Sequence, residues 1–188
     1  MEISYVLKIQ TMSPSKLTSK ILIEKENFIL KSYQTSNIFS ITEYKNEREQ
    51  LSQKFKIFFL LDLPDIGKFT MNKNSIAIWL RANSYFVVTK KKYDDVMNTC
   101  HNLASITDQT GGWITLNLEG KLTKSLLEKL LTLDLELLKN ENAVRVSINK
   151  INCLVLCNKQ FENYTIFCPV SFFETMKKRL VNLTNLIA

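Results

Sequence analysis

The chain has 188 residues, with 25 Lys and Arg, 18 Asp and Glu, and a formal net charge of +7. Its 45% hydrophobic content supports a sizeable core and argues against wholesale disorder. A single histidine excludes a site that needs several imidazoles, and four glycines at positions 67, 111, 112 and 120 exclude the glycine-rich dinucleotide and P-loop patterns.

Residues 1–60 have the pattern of strands with polar connections. Residues 5–9 form one predicted strand, and the alternation over 37–42 predicts another. The strongly polar stretch 43–54 predicts a loop or an exposed helix. The apolar run 56–61 ends at a turn, because Asp, Pro and Gly follow it closely.

The pattern from residue 75 onward is clearer and predicts an α+β fold, with helices packed on antiparallel or mixed sheets. Two capping-box patterns, Ser125 with Glu128 and Ser171 with Glu174, predict helix starts. The predicted strands are 75–80, 84–88, 105–108, 113–118, 143–148, 151–157 and 164–168, and the predicted helices are 91–103, 123–133 and a final one through residue 186.

The net positive charge does not by itself predict nucleic-acid binding. The basic residues are spread along the chain, and they comprise 21 Lys and only 4 Arg, although Arg is the side chain favoured for bidentate recognition of bases and phosphates. No segment reaches the roughly 18 apolar residues of a membrane span, and the N-terminus lacks a secretory pattern. We therefore expect a cytoplasmic protein with reduced cysteines, no nucleic-acid partner and no membrane partner.

The cysteines and the histidine do not predict a metal site or a nucleophile. Cys153 and Cys157 would lie about 13 Å apart on a strand, which is too far for two thiolates to share one zinc ion. With Cys168 they are better interpreted as core cysteines. Cys100 and His101 are neighbours on a predicted helix and point about 100° apart, so we do not expect them to act as a pair.

Several other residues have both a functional and a structural interpretation. Asp108 and Thr110 precede a Gly-Gly turn, where they could bind a ligand or, as we favour, satisfy local backbone groups. Trp79 and Trp113 lie in strand patterns, where aromatic side chains more often pack in a core than form a stacking platform.

From residue 61 onward, a set of short features follows a characteristic order and spacing over about two thirds of the chain. These features are Leu63-Pro64, the strand pair over 79–88, the stretch 107–120 that includes Asp108 and Trp113, Leu126-Leu127, Leu133-Asp134-Leu135, and Ser171-Phe172. In their order and spacing, they resemble the gamma subunit of heterotetrameric sarcosine oxidase.

The resemblance implies a fold similar to part of the folate-binding aminomethyltransferase fold. It also implies a non-catalytic subunit that associates with alpha, beta and delta subunits and packs against the folate-binding region of the alpha subunit. Such a complex oxidatively demethylates sarcosine, or a related N-methyl amine, to glycine and passes the one-carbon unit to tetrahydrofolate. FAD, FMN, NAD, zinc and tetrahydrofolate are then expected on the other subunits, and none of them on this chain.

We therefore expect a single domain over residues 1–188, with a strand-rich segment 1–60 of uncertain placement and a gamma-like region 61–188. We expect no catalytic residues. The residues predicted at turns or at partner contacts are Trp79, Asp108, Thr110, Trp113, Ser171 and Phe172.

Two other classes remain open on the sequence. One is a stand-alone folate-binding one-carbon protein, although such proteins are usually larger. The other is a basic nucleic-acid module, which fits the net charge but not its distribution. The latter would show strongly salt-dependent binding.

Overall fold

The structure is a computed structural model that describes residues 19–33 and 37–187. The predicted strand at 5–9 lies outside these residues. The described chain forms two compact units. We call residues 37–110 the inserted unit, and residues 19–33 together with 111–187 the flanking unit. The expectation of one domain over 1–188 stays a prediction.

Both units combine strands with helices. The strands, in chain order, are β1 (Ser19–Lys25), β2 (Phe28–Tyr33), β3 (Asn37–Glu43), β4 (Phe69–Met71), β5 (Ser75–Arg81), β6 (Ser84–Thr89), β7 (Ala104–Asp108), β8 (Trp113–Gly120), β9 (Ala143–Ile148), β10 (Ile151–Lys159) and β11 (Asn163–Pro169). The helices are α1 (Arg48–Phe59), α2 (Tyr93–Thr99), α3 (Thr123–Leu130) and α4 (Phe173–Ile187).

The inserted unit contains a five-stranded antiparallel sheet in the order β4-β5-β6-β3-β7. The predicted hairpin of β5 and β6 is present, and its turn contains Asn83 at φ 59°. Asn tolerates this left-handed conformation better than most residues do. At the other end of the hairpin, the hydroxyls of Ser75 and Thr89 form a buried hydrogen bond of 2.7 Å.

Helix α1 overlaps both the polar stretch 43–54 and the apolar run 56–61, which are separate segments in the sequence pattern. Leu51, Phe55 and Phe59 recur every four residues, so they lie on one face of a helix and are buried in the core of the inserted unit. Of the two alternatives predicted for 43–54, a loop or an exposed helix, the helix is present from Arg48 onward. It is amphipathic, because it exposes most of its residues but buries one apolar face.

The flanking unit contains a six-stranded antiparallel sheet in the order β1-β2-β8-β11-β10-β9. Its core joins one face of this sheet, including Leu116 and Ile166, to the apolar stripes of α3 and α4. Leu126 and Leu127 contribute from α3, and Leu180 contributes from α4. The α+β fold class predicted from the sequence is confirmed.

The two predicted capping boxes are wrong. Leu122 precedes α3 without a side-chain cap, and Ser125 lies inside the helix. A 3₁₀ turn (Val170–Phe172) precedes α4, so Pro169, and not Ser171, is the residue before the first helical turn. A Ser-x-x-Glu pattern occurs inside helices as well as at their starts. Only the backbone conformation of the serine, extended at a helix start and helical in an interior, distinguishes the two cases.

None of the helices in the described residues is long and apolar enough to cross a membrane.

The pairing of β2 with β8 depends on a glycine. Gly120 lies opposite Phe28 with φ at 115°, and a β-carbon there would meet the carbonyl oxygen of Asn27 at 2.1 Å. The contacted atoms are backbone, so a side-chain rearrangement cannot relieve the clash. Only glycine fits this position.

We predict that Gly120→Ala destabilises the chain by about 2–4 kcal/mol, because it combines a forbidden backbone conformation with a backbone clash. Gly111→Ala is the matched control, since Gly111 also has a positive φ, at 80°, but has open space around its α-carbon. The control should cost only about 1 kcal/mol. Urea unfolding of both variants measures the difference, and equal losses would contradict the steric argument.

Candidate functional site

Asp108 and Thr110 hold the end of β7 against the start of β3. Asp108 Oδ1 accepts a hydrogen bond from the Thr110 amide at 2.8 Å, which forms an Asx turn. Thr110 Oγ1 accepts one from the Ile38 amide at 3.1 Å, and the Gln109 amide donates to the Ile38 carbonyl at 2.8 Å. In this arrangement both side chains bind the backbone of their own unit.

The other predicted residues fall in two further places. Trp79 is partly buried against the core of the inserted unit, three strands away from β7. In the flanking unit, Trp113 pairs with Pro169, and the 3₁₀ turn that follows presents Ser171 and Phe172 to solvent. The structure therefore groups Asp108 with Thr110, and Trp113 with the 171–172 turn, and it leaves Trp79 apart.

A partly buried polar cluster that the sequence did not reveal lies in the inserted unit. Arg48 Nη1 donates to the Tyr85 hydroxyl at 2.5 Å, and that hydroxyl donates to Glu43 Oε2 at 3.3 Å. Tyr85 is fully buried, and its burial, together with the Glu43 carboxylate, raises its pKa. Tyr85 therefore stays neutral at physiological pH and bridges α1 to the sheet.

A second polar group occupies the sheet face of the flanking unit that points away from Leu116 and its neighbours. We call it the polar array; it consists of Thr115, Asn117, Glu119, Asn158, Asn163 and Thr165. Asn163 Oδ1 accepts hydrogen bonds from Asn117 Nδ2 at 3.0 Å and from Asn158 Nδ2 at 2.8 Å. Asn158 Nδ2 also donates to Thr165 Oγ1 at 2.7 Å. The array thus joins β8, β11 and β10 through side chains.

Four oxygen atoms of the polar array are buried without a hydrogen-bond partner among the described residues. They are Thr115 Oγ1, Asn117 Oδ1, Glu119 Oε2 and Asn158 Oδ1. The two amide oxygens, of Asn117 and Asn158, can only accept hydrogen bonds. The same holds for the Glu119 oxygen when that carboxyl group is ionised. The array therefore holds acceptors that no donor among the described residues satisfies, and each one carries a desolvation cost.

The charge of Glu119 is poorly accommodated in this array. Burial raises the pKa of the Glu119 carboxyl, and the nearby Lys31 ammonium offsets only part of that shift. The pKa of Tyr33 is raised too, first by burial and then by the Glu119 charge. In sequence, the alternation over 115–119 looks like an ordinary solvated strand face, so no local signal distinguishes this array.

The four cysteines are free and buried in the two cores. Cys153 and Cys168 lie on the paired, adjacent strands β10 and β11, and the bond that Cys153 donates to Cys168, together with burial, raises the pKa of Cys153. Burial raises the pKa of Cys100 to about 11. Residues 19–33 and 37–187 contain no group of three or more His, Cys, Asp or Glu that could hold a metal ion.

Several solved structures share this fold, including the following two. A chain of heterotetrameric sarcosine oxidase from Corynebacterium sp. U-96, in complex with pyrrole 2-carboxylate, matches with a TM-score of 0.75 at 15% identity, over 88% of both chains. Glycine cleavage system aminomethyltransferase T from Bartonella henselae matches with a TM-score of 0.54 at 10% identity, over 77% of this chain and 43% of that one. No protein-family model and no curated protein matches the sequence.

These matches confirm the fold that the sequence resemblance implied. The similarity to part of the aminomethyltransferase fold is likewise present. The chain spans less than half of the aminomethyltransferase, whereas it spans most of the sarcosine oxidase chain.

We predict that Glu119→Gln stabilises the chain at pH 7 by a few degrees in Tm, because it removes a desolvated charge. Since the folded pKa is raised, the folded state holds its proton more tightly than the unfolded state. The desolvated Glu119 carboxylate therefore lowers the free energy of unfolding of the wild type at any pH above the pKa that Glu119 has in the folded state. This loss disappears as the pH falls below the pKa of Glu in the unfolded state, about 4.3.

The Tm difference between wild type and Glu119→Gln should therefore vanish near pH 3.5, about one unit below that unfolded value. Glu128→Gln is the control, because Glu128 is exposed and its ion pair with Lys124 is long, at 3.9 Å. Thermal melts across this pH range test the sign, and a Glu119→Gln variant that is less stable at pH 7 would contradict it.

Proposed function

We propose that the chain is the non-catalytic, gamma-type subunit of a sarcosine oxidase-like complex. The complex would oxidise the N-methyl group of sarcosine, or of a related N-methyl amine, to leave glycine and pass the one-carbon unit to tetrahydrofolate. A flavin on another subunit would accept the two electrons that this oxidation releases. The chain would serve as a structural partner of the alpha-like subunit, beside beta-like and delta-like subunits.

One observation carries this proposal. The fold match to the sarcosine oxidase chain runs over 88% of both chains, so the two chains correspond in extent as well as in topology. The aminomethyltransferase contains the same fold as less than half of a longer chain. The match to the sarcosine oxidase chain is better than the match to the aminomethyltransferase, in TM-score (0.75 against 0.54) and in the share of this chain covered (88% against 77%), and this favours the gamma-type proposal.

The candidate residues support a structural role. Asp108 and Thr110 bond to the backbone at the β3–β7 end, Trp79 packs on a core, and the raised thiol pKa of Cys100 favours its inert protonated form. The exposed Phe172, 46% accessible in this chain, is of the kind that a partner subunit covers.

We predict that a tagged form of the chain, expressed in its native host, copurifies with a larger chain that contains flavin. The isolated chain should then be colourless, and the flavin, NAD and zinc should be found on the other subunits by absorbance and metal analysis. The complex that copurifies with the chain should oxidise sarcosine, and the isolated chain should not. Stoichiometric flavin or zinc on the isolated chain, or a purified chain with no flavoprotein partner, would overturn the proposal.

The second candidate function is folate binding by this chain itself, which the polar array favours. A pterin ring presents amino and ring N–H donors, and the unpaired oxygens of Asn117, Asn158 and Glu119 are acceptors. For a folate-binding chain, calorimetric titration of the isolated chain with tetrahydrofolate should show saturable binding that Asn117→Leu weakens at least tenfold. Asn185→Leu, at an exposed position of α4, is the control. No heat of binding would exclude this candidate.

A further inference from the structure

Large apolar side chains are exposed on and next to the C-terminal end of α1. Ile57 is 75% exposed, Leu60 75%, Ile66 79% and Met71 39%. We call these four residues the helix-end patch. Exposed apolar residues scattered singly are normal on a protein surface. Here Ile57 and Leu60 are three positions apart at the end of α1, and Ile66 and Met71 follow within the next 11 positions of the chain.

Hydrogen bonds hold this segment together. Asn72 Nδ2 donates to the carbonyls of Phe59 and Leu60 at 2.8 and 3.1 Å, so β4 ends against the last turn of the helix. Thr70 Oγ1 donates to the Asp62 carbonyl at 2.7 Å, and Lys56 forms an ion pair with Asp62 at 2.8 Å. The loop that presents the patch is therefore fixed at both ends before any partner arrives.

Leu60 is costly to the isolated chain in two ways. It ends α1 with φ 56° and ψ 40°, the left-handed conformation that Gly adopts readily and Leu adopts poorly. Its side chain is also mostly in water, so it gains little burial in return. A strained, exposed leucine at a position suited to glycine is therefore a candidate contact residue, whose use a glycine substitution can test.

The charges near the patch are mostly positive. Residues 53–73 contain four lysines and two aspartates. Lys56 and Asp62 neutralise each other, which leaves Lys54, Lys68 and Lys73 against one carboxylate. A further lysine, Lys91, lies with Nζ 4.7 Å from the centre of the Phe58 ring on the same helix.

We propose that the helix-end patch is the docking surface for the larger, flavin-bearing subunit, and that it fits an apolar face bordered by carboxylates on that subunit. This inference rests on the proposed function. An interface of standard size needs about 20–30 residues on each side, so the four side chains form its apolar centre and the lysines form part of its rim. Truncation at such a centre removes most binding energy, whereas truncation at the rim mainly slows association.

Two substitutions in the patch separate docking from folding. Leu60→Gly relieves the left-handed strain, so the Tm of the isolated chain should stay equal or rise while affinity for the partner falls. Ile57→Lys replaces an exposed residue, so the Tm should change by no more than about 2 °C. Both variants should raise the Kd for the purified partner at least tenfold. Leu186→Lys is the matched control, since Leu186 is 79% exposed on another helix, and its Kd should equal that of the wild type.

The experiment uses the flavoprotein that copurifies with the wild-type full-length chain, measured by calorimetry against each variant. If that flavoprotein binds Leu60→Gly and Ile57→Lys as tightly as wild type, the docking inference is wrong and the proposed function stands. If no flavoprotein copurifies with the wild type, both fail. A Tm loss of several degrees in Ile57→Lys would assign the patch to packing within the chain, and concentration-dependent dimers lost in both variants would assign it to a second copy. Either result overturns the inference.

Discussion

The antiparallel pairing of β2 with β8 is the constraint on which the rest of the structure depends. It joins Tyr33 to Thr115, 82 positions later, and the intervening chain builds the whole inserted unit. The first and last strands of that unit, β3 and β7, also pair with each other, and Thr110 fastens their ends at Ile38. In each unit, therefore, the strand before the crossing to the other unit pairs with the strand after the return: β2 with β8 in the flanking unit, and β3 with β7 in the inserted unit. Closing so long a loop costs only slightly more entropy than closing a short one, so the insertion is tolerated.

Strand β8 lies between β2 and β11, and its two faces have different roles. Leu116 and Leu118 point into the core with α3 and α4, while Thr115, Asn117 and Glu119 form one edge of the polar array. A shift of one residue in register would exchange the two sets, so the array and the core together specify the pairing. Gly120 then ends the strand where the backbone of Asn27 leaves no room for a side chain.

The sequence predicted the elements whose signals are local. The β5–β6 hairpin, the strands β9 to β11 and the two helices of the flanking unit follow from periodicity and short turns. Helix α1 was predicted only as one of two alternatives over 43–54, and its last turn fell in a separate apolar run, although Leu51, Phe55 and Phe59 keep a helical spacing across both stretches. The β2–β8 pairing and the polar array have no local signal, since each depends on strands that are distant in sequence.

Two unfavourable local features, one in each unit, are of the kind that binding relieves. Leu60 holds a strained backbone to present an exposed side chain, and the polar array holds buried acceptors without donors among the described residues. Neither feature stabilises the isolated chain: the first costs backbone energy, and the second costs the desolvation of each unpaired oxygen, about 1–3 kcal/mol. A chain that only had to fold would gain by glycine at position 60 and apolar residues on β8. The retention of both features in one small chain is better explained by surfaces that are completed by other molecules than by a self-sufficient monomer.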